Sequence, residues 1–337
     1  MNAKERLDRF YSGESVDRLP NLTIVGSVVT QYNGIDVETY CKDPIAMADA
    51  AILAARDLKL DFVQIASDLA REAEGYGSTV TYFADKLPTV TGYALNDIED
   101  VETLKPLKAT DIPRVMDLVR AAEYAIQKEP EIYPMVLAVG PATVAGNMRG
   151  IEDLMMDAVD EPELVEKLLE CVTETTMDFI RELAGVGVKY VYVADPVASL
   201  FSPKAYKELF LPCHQKLYAE MEANGIKGRL HMCGNTQGIL QYSSQSGAYI
   251  IDVDHATDLK KALSDVDGRC VLNGNIDPVA DVYSADAQHV EEAILACAER
   301  AKGYRCMFMP GCELPRDTKL DNVRAIHKAL CKLSQNA

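Results

Sequence analysis

Along the whole chain, short runs of β-branched and aromatic residues alternate with longer stretches whose apolar positions recur every three or four residues. The first pattern is that of buried strands, the second that of amphipathic helices. LTIVGSVV (22–29), DFVQIAS (61–67), YPMVLAVG (133–140) and VKYVYVAD (188–195) are predicted strands. Shorter ones are expected near 226 (IKGRLHM), 249 (YIIDVD) and 270 (CVLNGN), and CMFMPG (306–311) is the last. Helices are predicted over 43–59, 111–129, 202–225, 286–303 and 320–333, with two more inside 151–185 separated near Pro162. Gly225 and Gly303 supply helix stops. STVTYFADKLPTVTGY (78–93) alternates around a central turn, as an excursion hairpin would.

About eight strands alternating with helices predict an α/β protein, a (β/α)8 (TIM) barrel forming a single domain over 1–337. A doubly wound sheet is the competing architecture, but no GxGxxG or GxxxxGK[ST] follows a strand. The barrel reading has a chemical consequence, because active sites of this architecture sit at the C-terminal strand ends. His231 and Cys233 end the fifth predicted strand and Asp252 and Asp254 the sixth. Asn273, Asn275 and Asp277 follow the seventh, and Cys312 follows the eighth.

Composition narrows the partners. No stretch approaches the roughly 20 apolar residues of a membrane span. The start, MNAKERLDRF, lacks the apolar segment of a secretory signal, so a cytoplasmic location is expected. With 52 acidic against 34 basic residues the formal net charge is −18, which repels nucleic acid and anionic membrane surfaces. The nine cysteines form no disulfide framework. In a reducing compartment most are expected as buried thiols, and any special ones as metal ligands or reactive groups.

In GRLHMCGNT (228–236), His231 and Cys233 are two apart, so on a strand both side chains face one side. A strand cysteine is ordinarily a small buried hydrophobe. At strand ends opening onto one barrel mouth, however, His231, Cys233 and Cys312 offer one nitrogen and two sulfurs. Three protein ligands with one open position describe a catalytic zinc, whereas structural sites are usually closed by four. Thiolate ligands place negative charge on the metal, which suits attack of sulfur on a methyl group better than hydrolysis.

The HMCG…MPGC arrangement resembles the HxC…C zinc motif of cobalamin-dependent methyltransferases within the uroporphyrinogen decarboxylase superfamily, best known from the methylcobalamin:coenzyme M methyltransferases. The similarity runs along nearly the whole chain: VDRLPNLTIV (16–25), REAEGYG (71–77), VADPVASLFSPKAYKELFLP (193–212), NGNIDP (273–278) and MPGCELP (309–315). The resemblance implies a (β/α)8 barrel, one Zn²⁺, and a methyl group exchanged with a separate corrinoid (methylcobalamin) protein and a small thiol or methylated compound. It also implies a fourth, carboxylate ligand after the sixth strand. The matching position is Asp254, an Asp where the family has Glu, and Asp252 shares its strand face. Each aspartate is equally open to a capping or solvated role.

Asp68 stands where true uroporphyrinogen decarboxylases keep a catalytic Asp. Yet 21–34 contains no arginine to receive a porphyrinogen's carboxylates, so Asp68 is expected as a pocket residue and decarboxylation only as an alternative activity. Glu72 and Glu74 are read as substrate-orienting or metal-supporting groups, or as helix-dipole partners. Asp195 is expected to line the mouth or accept from a loop amide. Asn273 and Asn275 are expected to shape their loop through left-handed geometry. Cys213 and His214 are read as packing or surface residues, and His289 and His327 as surface; His255 lies beside a loop. A barrel that binds zinc or ligand without turnover is a further alternative. Carriage of the corrinoid by this chain is disfavoured, because the DxHxxG sequence is missing.

Overall fold

The computed structural model describes residues 1–335. Nine strands appear in chain order: β1 Phe62–Ile65, β2 Thr79–Thr81, β3 Thr89–Gly92, β4 Tyr133–Val139, β5 Tyr190–Ala194, β6 Lys227–His231, β7 Ile250–Asp252, β8 Val271–Asn273 and β9 Cys306–Met307. Seven of them form one parallel sheet, β1-β4-β5-β6-β7-β8-β9, with helices between successive strands, and β2 and β3 pair antiparallel outside it. Helices cover the outer face and side chains fill the inner one, so β4 and β5 are buried almost throughout. Among the described residues, no helix is long and apolar enough to cross a membrane.

The sequence predicts a strand over 22–29, and here the structure differs. Residues 21–25 join no ladder, and Gly26–Gln31 is a short 3-10 helix. The segment nevertheless lies between the first and last strands. Asp61 N–H donates to the Asn21 carbonyl at 3.0 Å, and Leu314 N–H to that of Ile24 at 3.2 Å. Its other main-chain groups are met by side chains: Val25 N–H by Gln64 Oε1 at 2.9 Å and the Leu22 carbonyl by Arg229 Nη1 at 2.8 Å. Side-chain partners thus replace a strand ladder at the barrel's seam. The last strand is likewise shorter than predicted, with one further bridge between Ile276 and Pro310.

Local chemistry explains the helices. Asp43 caps Pro44–Leu58 by accepting from Ile45 and Ala46 N–H, with Pro44 at the helix start. Met47, Ile52 and Leu58 are buried on this helix, which packs on β1; burying each contributes about 1.5–3 kcal/mol. The 151–185 stretch is two helices, Ile151–Asp160 and Pro162–Gly185, parted at Glu161 because the residue before a proline avoids the α region. The predicted 202–225 helix is interrupted by a π turn, Tyr206–Phe210, just before Pro212, which has no N–H to give.

Candidate metal centre

Arg229 and His231 sit two apart on β6 and point to the same side, into the barrel. Parallel pairing brings the end of β7 and the end of β8 alongside, with Asp252 opposite Asn273. Asp252 is the hub. It accepts from Arg229 Nε at 2.9 Å and from Asn273 Nδ2 at 2.7 Å, and its Oδ2 lies 2.7 Å from His231 Nδ1. Burial works against charge on Asp252, but Arg229 and His231 outweigh it and hold the carboxyl below the usual range.

With Nδ1 engaged, His231 turns Nε2 to the mouth. It stands 3.1 Å from Cys233 Sγ and 3.6 Å from Cys312 Sγ, and the sulfurs are 2.9 Å apart. Cys233 lies two residues past the end of β6, and Cys312 follows β9 after Gly311. These residues are separated by 79 positions, and the barrel brings them together. They are the one group of three or more His, Cys, Asp or Glu donors among the described residues that converges within metal-ligand reach, all within 4.8 Å of one another. One imidazole nitrogen and two sulfurs form a donor set that fits zinc, with the other ring nitrogen fixed by a carboxylate as ligating histidines require.

The cluster is electrostatically coupled. Burial would lower His231, but the Asp252 bond and the Cys312 sulfur raise it to about 10. Contact with Cys233, helped by His231, lowers Cys312 to about 5. Cys233 is pushed up by the same sulfur contact and by burial.

A cavity of about 110 Å³ opens beside the three side chains. Its walls are largely apolar, with Ile24, Ala66, Leu69, Leu87 and Leu137, and its polar lining includes Gln64, Tyr192, Asp68 and Glu313. Glu313 accepts from Ser27 N–H at 3.1 Å, and burial pushes its carboxyl up. Gly26 makes room for it. A Cβ there would fall 1.8 Å from Glu313 Oε1, and φ is +47°.

Asp68 lines this cavity as expected, but it is ion-paired with Arg114 and accepts from Ala70 N–H at 2.9 Å. Arg114 also reaches Glu74 at 3.1 Å, and Glu74 accepts from Tyr82 OH at 2.8 Å. Glu74 therefore anchors this network and is not among the cavity's lining residues.

Three sets of candidates stand outside the donor cluster. Glu72 does not line the cavity. It is buried beside Arg71 at 3.0 Å and accepts from Val139 N–H at 3.4 Å, on a helix turn, Arg71–Gly75, that packs against the helices Pro113–Lys128 and Pro141–Arg149. Asp254 does not join the sulfurs as a fourth donor. Its Oδ2 takes Gly234 N–H at 2.7 Å and its Oδ1 takes His255 N–H at 2.6 Å, so it braces the loop that carries Cys233. Asn273 and Asn275 have no positive φ; Asn273 holds Asp252, and Asn275 Nδ2 donates to the Thr257 carbonyl at 2.7 Å.

Asp195 accepts not from a loop amide but from the first turn of the helix Pro141–Arg149, taking Thr143 N–H at 2.7 Å and Ala142 N–H at 3.2 Å, and pairs with His214 Nε2 at 3.0 Å. His214 and Cys213 are buried, whereas His289 is exposed and pairs with Asp281. His327 is half-buried, with Nε2 3.5 Å from Cys331 Sγ, and not a free surface residue. His255 lies half-exposed against Asp254 and Asp277.

Arg229, Arg114 and Glu313 escaped the sequence reading. Arg229 carried a signal: an arginine inside an apolar run, on the same strand face as His231. Glu313 has only its adjacency to Cys312, and Arg114 only its place at the start of an amphipathic helix.

Comparison with known proteins agrees with this architecture. The uroporphyrinogen decarboxylase (URO-D) family model matches residues 2–333. The methylcobamide:CoM methyltransferase MtbA of Methanosarcina acetivorans is 25% identical over 95% of each chain. The uroporphyrinogen decarboxylase of Thermodesulfovibrio yellowstonii is 24% identical over 86% of this chain and 85% of its own. A solved structure, a methyltransferase from Methanosarcina mazei, superposes with a TM-score of 0.87 over 99% of both chains at 22% identity. The chain belongs to the uroporphyrinogen decarboxylase (URO-D) family, a family of enzymes.

Proposed function

We propose that this chain is a zinc-dependent methyltransferase, moving a methyl group between a corrinoid carried by a separate protein and a small thiol or methylated compound. The observation that carries this reading is the convergence of His231 Nε2, Cys233 Sγ and Cys312 Sγ beside a small apolar cavity. The likeness to a protein named as a methylcobamide:CoM methyltransferase supports the same reading.

Zinc, when bound, would stabilise a sulfur anion at neutral pH or act as a Lewis acid on a methylated heteroatom. The chain's own residues do the rest. Asp252 orients His231, Asp254 braces the Cys233 loop, and the apolar walls exclude water from the methyl group. A reducing cytoplasm suits two adjacent free thiols.

Decarboxylation is the weaker reading. Asp68 would have to leave Arg114 before it could grip a pyrrole ring.

Metal analysis of the wild type against Cys312→Ser tests the proposal. About one zinc per chain is expected in the wild type, with markedly weaker retention in the variant. Zinc content unaffected by the substitution refutes it. Mixing the protein with methylcobalamin and candidate thiols, and following the cobalamin spectrum, then tests the direction of transfer.

A further inference from the structure

The excursion pairs β2 with β3, and residues 82–88 connect them. Leu87 lies half-buried on that connection, packs on the core and lines the cavity beside the cluster. The other lining residues belong to barrel strands, to the segments that directly follow them, or to the seam. One wall of the cavity is therefore supplied from outside the barrel, by a single aliphatic side chain. That wall is fixed in place. The Ala84 carbonyl accepts from Val37 N–H at 2.9 Å, and Tyr82 OH donates to Glu74 at 2.8 Å. Lys42 Nζ lies over the Tyr82 ring, 3.6 Å from its centre. Pro88, buried directly after Leu87, restricts the Leu87 backbone.

An apolar cavity of about 150 Å³ takes benzene, a ring of six carbons. By the same measure the cavity of about 110 Å³ here takes about four non-hydrogen atoms. We infer that Leu87 determines which substrate fits. The group carried by the reacting sulfur is compact, of about three carbons or fewer, and the side chain that sets this limit is Leu87. A longer chain has to push Leu87 off its rotamer or shift a connection pinned at Tyr82 and Ala84, and such overpacking is costly. This inference rests on the methyl-transfer reading and adds to it the residue that selects the substrate by size.

The test titrates ethanethiol, propane-1-thiol, butane-1-thiol and hexane-1-thiol calorimetrically into the zinc-loaded protein. Affinity is expected to rise about three- to fourfold per methylene up to propane-1-thiol, as each methylene is buried, and to fall about tenfold or more by hexane-1-thiol. Leu87→Ala is expected to move the optimum to longer chains, raising affinity for hexane-1-thiol about tenfold or more and changing that for ethanethiol less than about threefold. Leu87→Phe is expected to move it the other way, weakening propane-1-thiol about fivefold or more relative to ethanethiol. Wild type and both variants should hold equal zinc, because Leu87 is not one of the three converging donors. If Leu87→Ala does not fold, Leu87→Phe carries the comparison. Affinity that climbs steadily to hexane-1-thiol in the wild type, an optimum unmoved in a variant that folds and loads zinc, or no binding by any of the four thiols overturns the inference. A protein that loads zinc and binds thiols without a length limit leaves methyl transfer standing; one that loads no zinc overturns the reading beneath it.

Discussion

Asp252 Oδ2 lies 2.7 Å from His231 Nδ1, and through that contact a carboxylate deep in the barrel decides which ring nitrogen faces the two sulfurs. The same aspartate neutralises Arg229, which is 1% exposed. One residue therefore serves the site and the core at once.

Asp252→Asn separates these duties. Metal affinity is expected to fall about 10–100-fold, because the imidazole loses its orienting partner. Stability is expected to fall by about 3–5 kcal/mol, because Arg229 is left buried without a counter-charge. Zinc competition with a chelator and urea unfolding read the two effects. The sign with pH follows from the depressed carboxyl of Asp252. Its contribution is fully present above the unfolded value of about 3.9 and is lost as pH falls through the lower folded value. The variant should lack that segment of the acid-unfolding curve.

Metal loading should release protons. Near pH 7 the metal-free cluster holds His231 charged, with its value raised to about 10, Cys312 as thiolate, with its value lowered to about 5, and Cys233 as thiol. Zinc needs a neutral imidazole and two thiolates, so about two protons leave and affinity climbs about 100-fold per pH unit. Calorimetric zinc titrations in buffers of different ionisation enthalpy count them. Loading without proton release would contradict the charge distribution.

Glu72→Gln is expected to leave zinc content and methyl transfer unchanged while lowering stability by about 1–3 kcal/mol. Burial raises the Glu72 carboxyl. The wild type therefore has that group's full contribution below about pH 4.3 and loses it as pH rises through the folded value, whereas the variant does not titrate. The stability difference should narrow as pH increases. A large loss of turnover in a normally folded variant would return Glu72 to the site.

Gly26→Ala places a Cβ where Glu313 Oε1 now sits and asks an L-residue to hold φ near +47°. A cost of about 1–2 kcal/mol from the backbone is expected, with the Glu313 carboxylate displaced. Zinc retention should survive. A thermal melt and metal analysis together check this.

Period and spacing made most of the fold legible, because alternation of buried strands and amphipathic helices is a local property of the chain. Position 22–29 shows where that ends. Its β-branched residues match a strand, yet Gly26 turns the backbone and Gln64 and Arg229 take the hydrogen bonds a ladder would have made. No local pattern announces that distant side chains will supply those partners.

Strand periodicity already puts Arg229 and His231 on one face, and Cys233 and Cys312 just beyond strand ends, since side-chain alternation has a period of two. It left Asp252 and Asp254 equivalent. Tertiary structure alone decided between them: β7 ends at Asp252, so that residue keeps the inward direction set by pairing with β8, while Asp254 lies past the ladder and turns to Gly234. Facing within one strand is fixed by neighbouring bonds, but the meeting of residues from different strands depends on register and loop path, which arise only when the whole sheet closes.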